Sequence, residues 1–111
     1  MSDRIRVAAE EDIPQDEGLV IPKALTGADD DIALFKDDQG CIFALDNTCP
    51  HEVASLAEGW VEDGYVECPL HSSKFDLRTG EAQSLPAPRG VNVHRVEVHD
   101  GEVYLYAGER P

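Results

Sequence analysis

Apolar residues in this chain fall in short runs, punctuated by glycine, aspartate and proline, and most runs are too brief for helices. Arg4-Ile5-Arg6-Val7-Ala8 predicts a first short strand, and residues 10–17, acidic and holding Pro14, predict a loop or one helical turn. Residues 18–23 predict a second strand ending near Pro22, followed by a turn at Thr26-Gly27-Ala28-Asp29-Asp30. The runs at 31–36 and 41–45 flank Asp37-Asp38-Gln39-Gly40 and predict a hairpin, with Gly40 free to take a positive φ. Residues 55–59 predict a brief turn. Trp60-Val61 and Tyr65-Val66-Glu67 flank Glu62-Asp63-Gly64, a second hairpin, and Phe75-Asp76-Leu77 with Arg78-Thr79-Gly80 and Glu81-Ala82 a third. Pro86 and Pro88 hold 84–88 extended. Residues 91–98 and 102–106 predict a final pair of strands joined through Asp100-Gly101, a favoured two-residue turn. Within that pair the apolar parity switches between Val93 and Val96, which predicts a bulge or a change of face, while Tyr104 and Tyr106 alternate with Val103 and Leu105. Short strands at this spacing predict an all-β sandwich or barrel, with a small lobe, about 47–82, inserted in it.

The chain has 111 residues, the size of one domain, 1–111. Its core is modest, so a bound metal would add to its stability. The net charge of −14, from 23 acids against 9 bases, makes nucleic acid and anionic membranes poor partners. The same charge serves either solubility or the steering of a basic protein partner. No apolar run approaches the roughly 20 residues of a membrane span, and the charged first ten residues lack a signal-peptide centre, so a cytoplasmic location is expected. Three cysteines, an odd number, argue against a disulfide framework and for reduced thiols. Cys41 reads as a small buried hydrophobe in its strand, Trp60 as a packed hairpin aromatic, and His94 and His99 as surface histidines.

Chemistry concentrates between Cys49 and His71. Cys49-Pro50-His51 is followed, after sixteen residues, by Cys68-Pro69-Leu70-His71. Each segment offers one thiolate and one imidazole, and a proline after each cysteine favours a turn, so the ligands sit on two loops that approach in space. Soft sulfur with borderline nitrogen suits zinc or an iron–sulfur centre, not calcium or magnesium. A chance grouping leaves the doubled, proline-flanked pattern unexplained, and a Cys/His nucleophile leaves the second pair idle. A structural zinc site stays open, although familiar zinc fingers group like ligands together. A [2Fe–2S] cluster with two thiolates on one iron and two imidazoles on the other makes sense of one ligand of each kind per loop.

With these motifs the chain resembles the Rieske iron–sulfur family. The resemblance runs through Ser55-Leu56-Ala57-Glu58-Gly59, Gly64-Tyr65-Val66-Glu67, Phe75-Asp76-Leu77-Arg78-Thr79-Gly80 and Leu85-Pro86-Ala87-Pro88, most of residues 31–107. It implies one [2Fe–2S] cluster, held by Cys49 and Cys68 on a buried iron and by His51 and His71 on the iron that is reduced. It also implies a proline loop that shields the cluster, and outward edges of His51 and His71 as the electron exit. Respiratory members carry a disulfide beside the cluster, and their two extra cysteines correspond to Ala54 and Leu70 here. They also have a membrane anchor, and many have a tyrosine donating to a ligand sulfur where this chain has Phe75, with Ser73 as one retained donor. Fewer donors predict a potential near the low end of the Rieske range, about −150 mV. The pattern is similar to soluble ferredoxins of bacterial aromatic-ring-hydroxylating oxygenases, which implies an electron carrier and no enzyme activity of its own. Its implied partners are an NAD(P)H-fed flavin-dependent ferredoxin reductase and a terminal oxygenase. The alternatives are the small Rieske-like subunit of an assimilatory nitrite reductase and, in another class, a zinc-binding interaction module.

Overall fold

The computed structural model describes residues 4–15, 17–49, 54–69, 74–83 and 90–111. Along them run β1 (Ile5–Ala9), β2 (Leu19–Ile21), β3 (Ile32–Lys36), β4 (Ile42–Asp46), β5 (Trp60–Glu62), β6 (Tyr65–Glu67), β7 (Lys74–Asp76), β8 (Val93–His99) and β9 (Glu102–Tyr106). One sheet has the order β1-β9-β8-β4-β3-β2 and a second the order β5-β6-β7, all pairings antiparallel. The larger sheet curls into a near-barrel, as the all-β reading expects. The small sheet lies, in sequence, between β4 and β8.

The tight turns are where the aspartate–glycine pairs place them. Asp63 and Gly64 have φ of 53° and 84°, and Asp100 and Gly101 have 53° and 78°. Positive φ at both central residues matches the right-handed twist of the flanking strands. In the β3–β4 hairpin, the Asp37 carboxylate accepts from Gln39 N (2.9 Å) and Cys41 N (2.8 Å), and Gly40 takes a φ of 84°. This turn corrects the reading of Cys41: bonded into the turn just ahead of β4, it is exposed, not buried. One short helix, α1 (Lys23–Thr26), runs from the end of the expected strand at Lys23 to the first residue of the expected turn, and Gly27 at φ 78° ends it by donating to Lys23 O.

β3 is the central wall. Ile32-Ala33-Leu34-Phe35 are all fully buried, because both faces of the strand are covered. Ile32 and Leu34 join Ala44, Ile21, Val103 and Leu105 in one apolar cluster. Ala33 and Phe35 point the other way, with Leu45, into a cluster shared with Leu56, Val66, Phe75 and Leu77. The second cluster is what seats the three-stranded sheet on the wall.

β8 serves both halves of the large sheet. Val93 and His94 pair with Leu45 and Ala44 of β4, whereas Arg95–His99 pair with β9. The parity switch is therefore a change of face: Val93 packs in the cluster beneath the small sheet and Val96 against the other. The register irregularity lies instead in β1, between Arg6 and Ala8. This arrangement also corrects the reading of His94, which is buried rather than on the surface. Its Nδ1 accepts from Gly108 N at 2.8 Å, so Nε2 carries the proton and donates to Asp46 Oδ1 at 2.7 Å. Asn92 Nδ2 holds the other Asp46 oxygen at 2.9 Å, and the clasp fixes the end of β4. His99 is exposed, as expected, and with Tyr106 and Arg95 it bonds the Glu97 carboxyl. The hydrogen bonds from Tyr106, His99 and Arg95, in that order of weight, hold that carboxyl down at about 2.

Candidate metal centre

Asn47, the residue after β4, is buried. Its N–H donates to Asp31 O (2.8 Å) and its carbonyl accepts from Leu56 N (2.7 Å). Its side-chain oxygen accepts from Ser55 Oγ (3.1 Å) and Ala57 N (3.0 Å). Next to it, Thr48 donates twice to the Asp30 carboxylate, through N and Oγ1, each at 2.9 Å. Cys49 N then donates to Ala54 O at 2.9 Å, and Thr48 bridges Ser55. These bonds join Thr48 and Cys49 to Ala54 and Ser55, and His51, between them in sequence, lies outside the described residues.

The second motif begins at the end of the β6–β7 ladder. Val66 pairs with Phe75 and Glu67 with Lys74, and Cys68 directly follows the paired end of β6. His71, Leu70 and Ser73 lie outside the described residues, as do Pro86 and Pro88. Of the described residues near that segment in sequence, Gln83 N donates to Lys74 O, and Val91 N to Gly80 O, each at 2.8 Å.

Two of the four sequence-predicted ligands are thus described, and the fold brings them together. Cys49 is 2% exposed and Cys68 fully buried, and both belong to the apolar cluster of Leu56, Val66, Phe75 and Leu77. Among the described residues, the side chains packed with the two sulfurs are apolar. Two sulfurs buried in one apolar cluster fit a soft metal centre. Phe75, the aligned ring, is fully buried in the same cluster. Trp60 is not the packed aromatic that was expected: strand alternation sends Val61 toward the core and leaves Trp60 48% exposed.

Sequence reasoning missed the residues that hold the loops in place. Asn47 follows a strand and precedes a ligand loop, the position of a side chain that bonds local backbone, and this was its available signal. Gly59 is the other: a Cβ there would sit 1.9 Å from Glu67 O, so the turn at Leu56–Glu58 meets the last residue of β6 backbone to backbone.

The profile of the Rieske [2Fe–2S] domain matches residues 3–103. The chain belongs to the Rieske [2Fe–2S] family. Members carry one [2Fe–2S] cluster, and the buried cysteine pair fits it. The chain is 49% identical over 80 residues to the 3-phenylpropionate/cinnamic acid dioxygenase ferredoxin subunit of Photorhabdus laumondii, covering 71% of this chain and 75% of that one. Among solved structures, it is similar to a chain of the complex of reduced oxygenase and oxidized ferredoxin in carbazole 1,9a-dioxygenase. That match has a TM-score of 0.83, with 32% identity over 100% of this chain and 98% of that one. A nitrite reductase small subunit structure from Mycobacterium tuberculosis, described as putative, aligns with a TM-score of 0.80 at 21% identity, over 95% of each chain, a likeness of fold alone. This Rieske protein is therefore a ferredoxin-type electron-transfer component and not a catalytic oxygenase. No helix among its described residues is long and apolar enough to cross a membrane.

Proposed function

We propose that this Rieske ferredoxin is the one-electron carrier of an aromatic-ring-hydroxylating dioxygenase system in the cytoplasm. It takes electrons from a flavin-dependent reductase fed by NAD(P)H and passes them to the terminal oxygenase. The observation that carries this reading is the buried pair Cys49 and Cys68, each with one histidine beyond it in sequence, in a chain close to dioxygenase ferredoxin subunits. Cys49 and Cys68 would hold one iron of the cluster and His51 and His71 the other, with the histidines toward the docking partners. The segment of about 47–82 acts as the cluster-binding subdomain of a single 1–111 domain. The bound cluster supplies a one-electron couple. The chain supplies the ligands, an apolar shell built by Leu56, Val66, Phe75 and Leu77, and a surface charge of −14.

Reconstitution tests the assignment. Aromatic hydroxylation driven by NAD(P)H should require reductase, oxygenase and this chain together, and activity that persists without this chain contradicts the proposal. Steering by the acidic surface adds a second signature: the transfer rate should fall several-fold as salt rises from about 0.01 to 0.15 M and the Debye length shortens from about 30 to 8 Å. A rate indifferent to salt assigns the charge to solubility.

Phe75→Tyr probes the shell. A phenol that reaches a cluster sulfur adds a hydrogen bond that is stronger to the more negative, reduced cluster. If reduction strengthens it by about 1 kcal/mol, the potential of a one-electron couple rises by roughly 40 mV, from about 59 mV per tenfold. Voltammetry of the two holoproteins measures it, and an unchanged potential places the ring edge away from the sulfurs.

A further inference from the structure

We infer that the outer face of the β5-β6-β7 sheet is the docking surface for the terminal oxygenase, with Trp60 as its anchor. This rests on the electron-carrier reading above and adds to the docking residues it assigns at His51 and His71. Val61, Val66 and Phe75 form the inner row of the sheet and pack into the core cluster. The outer face therefore carries Trp60, Glu62, Tyr65, Glu67, Lys74 and Asp76, since directly paired residues share a side.

Three features single this face out. Trp60, at 48% exposure, is the sole aromatic among the large apolar side chains exposed in the described residues; the others are Val20, Leu25 and Val98. A half-exposed indole costs the free protein apolar hydration, and tryptophan is the residue type most enriched at the energetic centres of interfaces. Second, register places it beside the cluster loop: Trp60 pairs with Glu67, whose successor is Cys68. Third, the face is net acidic: it carries Glu62, Glu67 and Asp76 against one base, Lys74. An apolar anchor on a net-acidic face is complementary to an apolar recess flanked by lysine and arginine on the oxygenase, and its charge steers the encounter while the indole sets the residence time. A solved relative's chain comes from an oxygenase–ferredoxin complex, which makes the oxygenase the occupant to test first.

Stopped-flow reduction of the 3-phenylpropionate/cinnamic acid dioxygenase oxygenase by dithionite-reduced holoprotein provides the test, with wild type, Trp60→Ala and Trp60→Phe compared. Trp60→Ala should raise the half-saturating concentration about tenfold, with the limiting rate, visible spectrum and reduction potential unchanged, and Trp60→Phe should recover most of the loss. An unchanged half-saturating concentration overturns the proposal. So does a lost visible spectrum, which makes Trp60 a support of the cluster. Wild-type holoprotein that shows no reversible one-electron reduction removes the carrier reading itself, and wild-type holoprotein that is reduced but passes no electron to this oxygenase overturns the oxygenase as occupant, both results distinct from any of the Trp60 outcomes.

Discussion

Cys49→Ala should yield a colourless protein that is less stable than the wild type by about 3 kcal/mol or more. The lost thiol itself is small, and an alanine in its place leaves only a minor void. The larger loss is the metal centre. A centre that binds the folded chain and not the unfolded one adds its binding free energy to folding, and the proposed ligand set has only two sulfurs. The surrounding bonds make the effect specific. Cys49 N to Ala54 O and the Asn47 side chain still close the loop in the mutant, so the loss reports on the ligand and not on a broken hairpin. Cys41→Ala is the matched control: Cys41 is exposed in the β3–β4 turn and should leave colour and stability unchanged. Iron and acid-labile sulfide assays, visible absorption and denaturant midpoints on all three proteins check it. A coloured, fully folded Cys49→Ala removes Cys49 from the ligand set.

Where structure is decided locally, the sequence announces it. Asp63-Gly64 and Asp100-Gly101 turn because each pair adopts positive φ at little cost, and the hairpins on either side follow. The alternation of Val103 and Leu105 with Tyr104 and Tyr106 becomes buried and half-buried rows of β9. The cysteine–histidine spacing marked the two loops before any fold was known, because few other residue patterns serve that chemistry. The readings that failed depend on what lies across from a residue. Ile32-Ala33-Leu34-Phe35 announces a strand, but only the packing of Leu56, Val66 and Phe75 onto its far side explains why alternation is missing. His94 is buried because Asp46 and Gly108, from distant parts of the chain, bond both ring nitrogens. Trp60 is exposed because one parity choice sent Val61 inward, a choice a three-residue strand leaves undetermined from its own sequence. Gly59 gave no sign at all, since close backbone approach depends on where the other backbone runs.

Gly59→Ala is the second large effect, and it acts without touching a ligand. Gly59 has φ −80° and ψ −162°, a conformation alanine also adopts, so backbone strain contributes little. Crowding is the whole cost. The new methyl would lie 1.9 Å from Glu67 O, 3.0 Å from Glu67 C and 3.3 Å from Leu56 O, and backbone atoms in a sheet cannot swing aside as a side chain does. Relief requires moving the turn at Leu56–Glu58 away from the end of β6 by more than an ångström. That turn is tied to the first ligand loop through Leu56 N and Ala57 N on Asn47, and the end of β6 leads into Cys68. The substitution therefore drives the two cysteines apart, and it should cost about 3 kcal/mol or more and lower the iron content of the purified protein. Gly27→Ala supplies the contrast. There φ is 78° and nothing lies within 4 Å, so the penalty is conformational alone, about 1 kcal/mol, with full iron retained. Equal losses in stability and iron for the two variants would show that the close approach at Gly59 does not position Cys68.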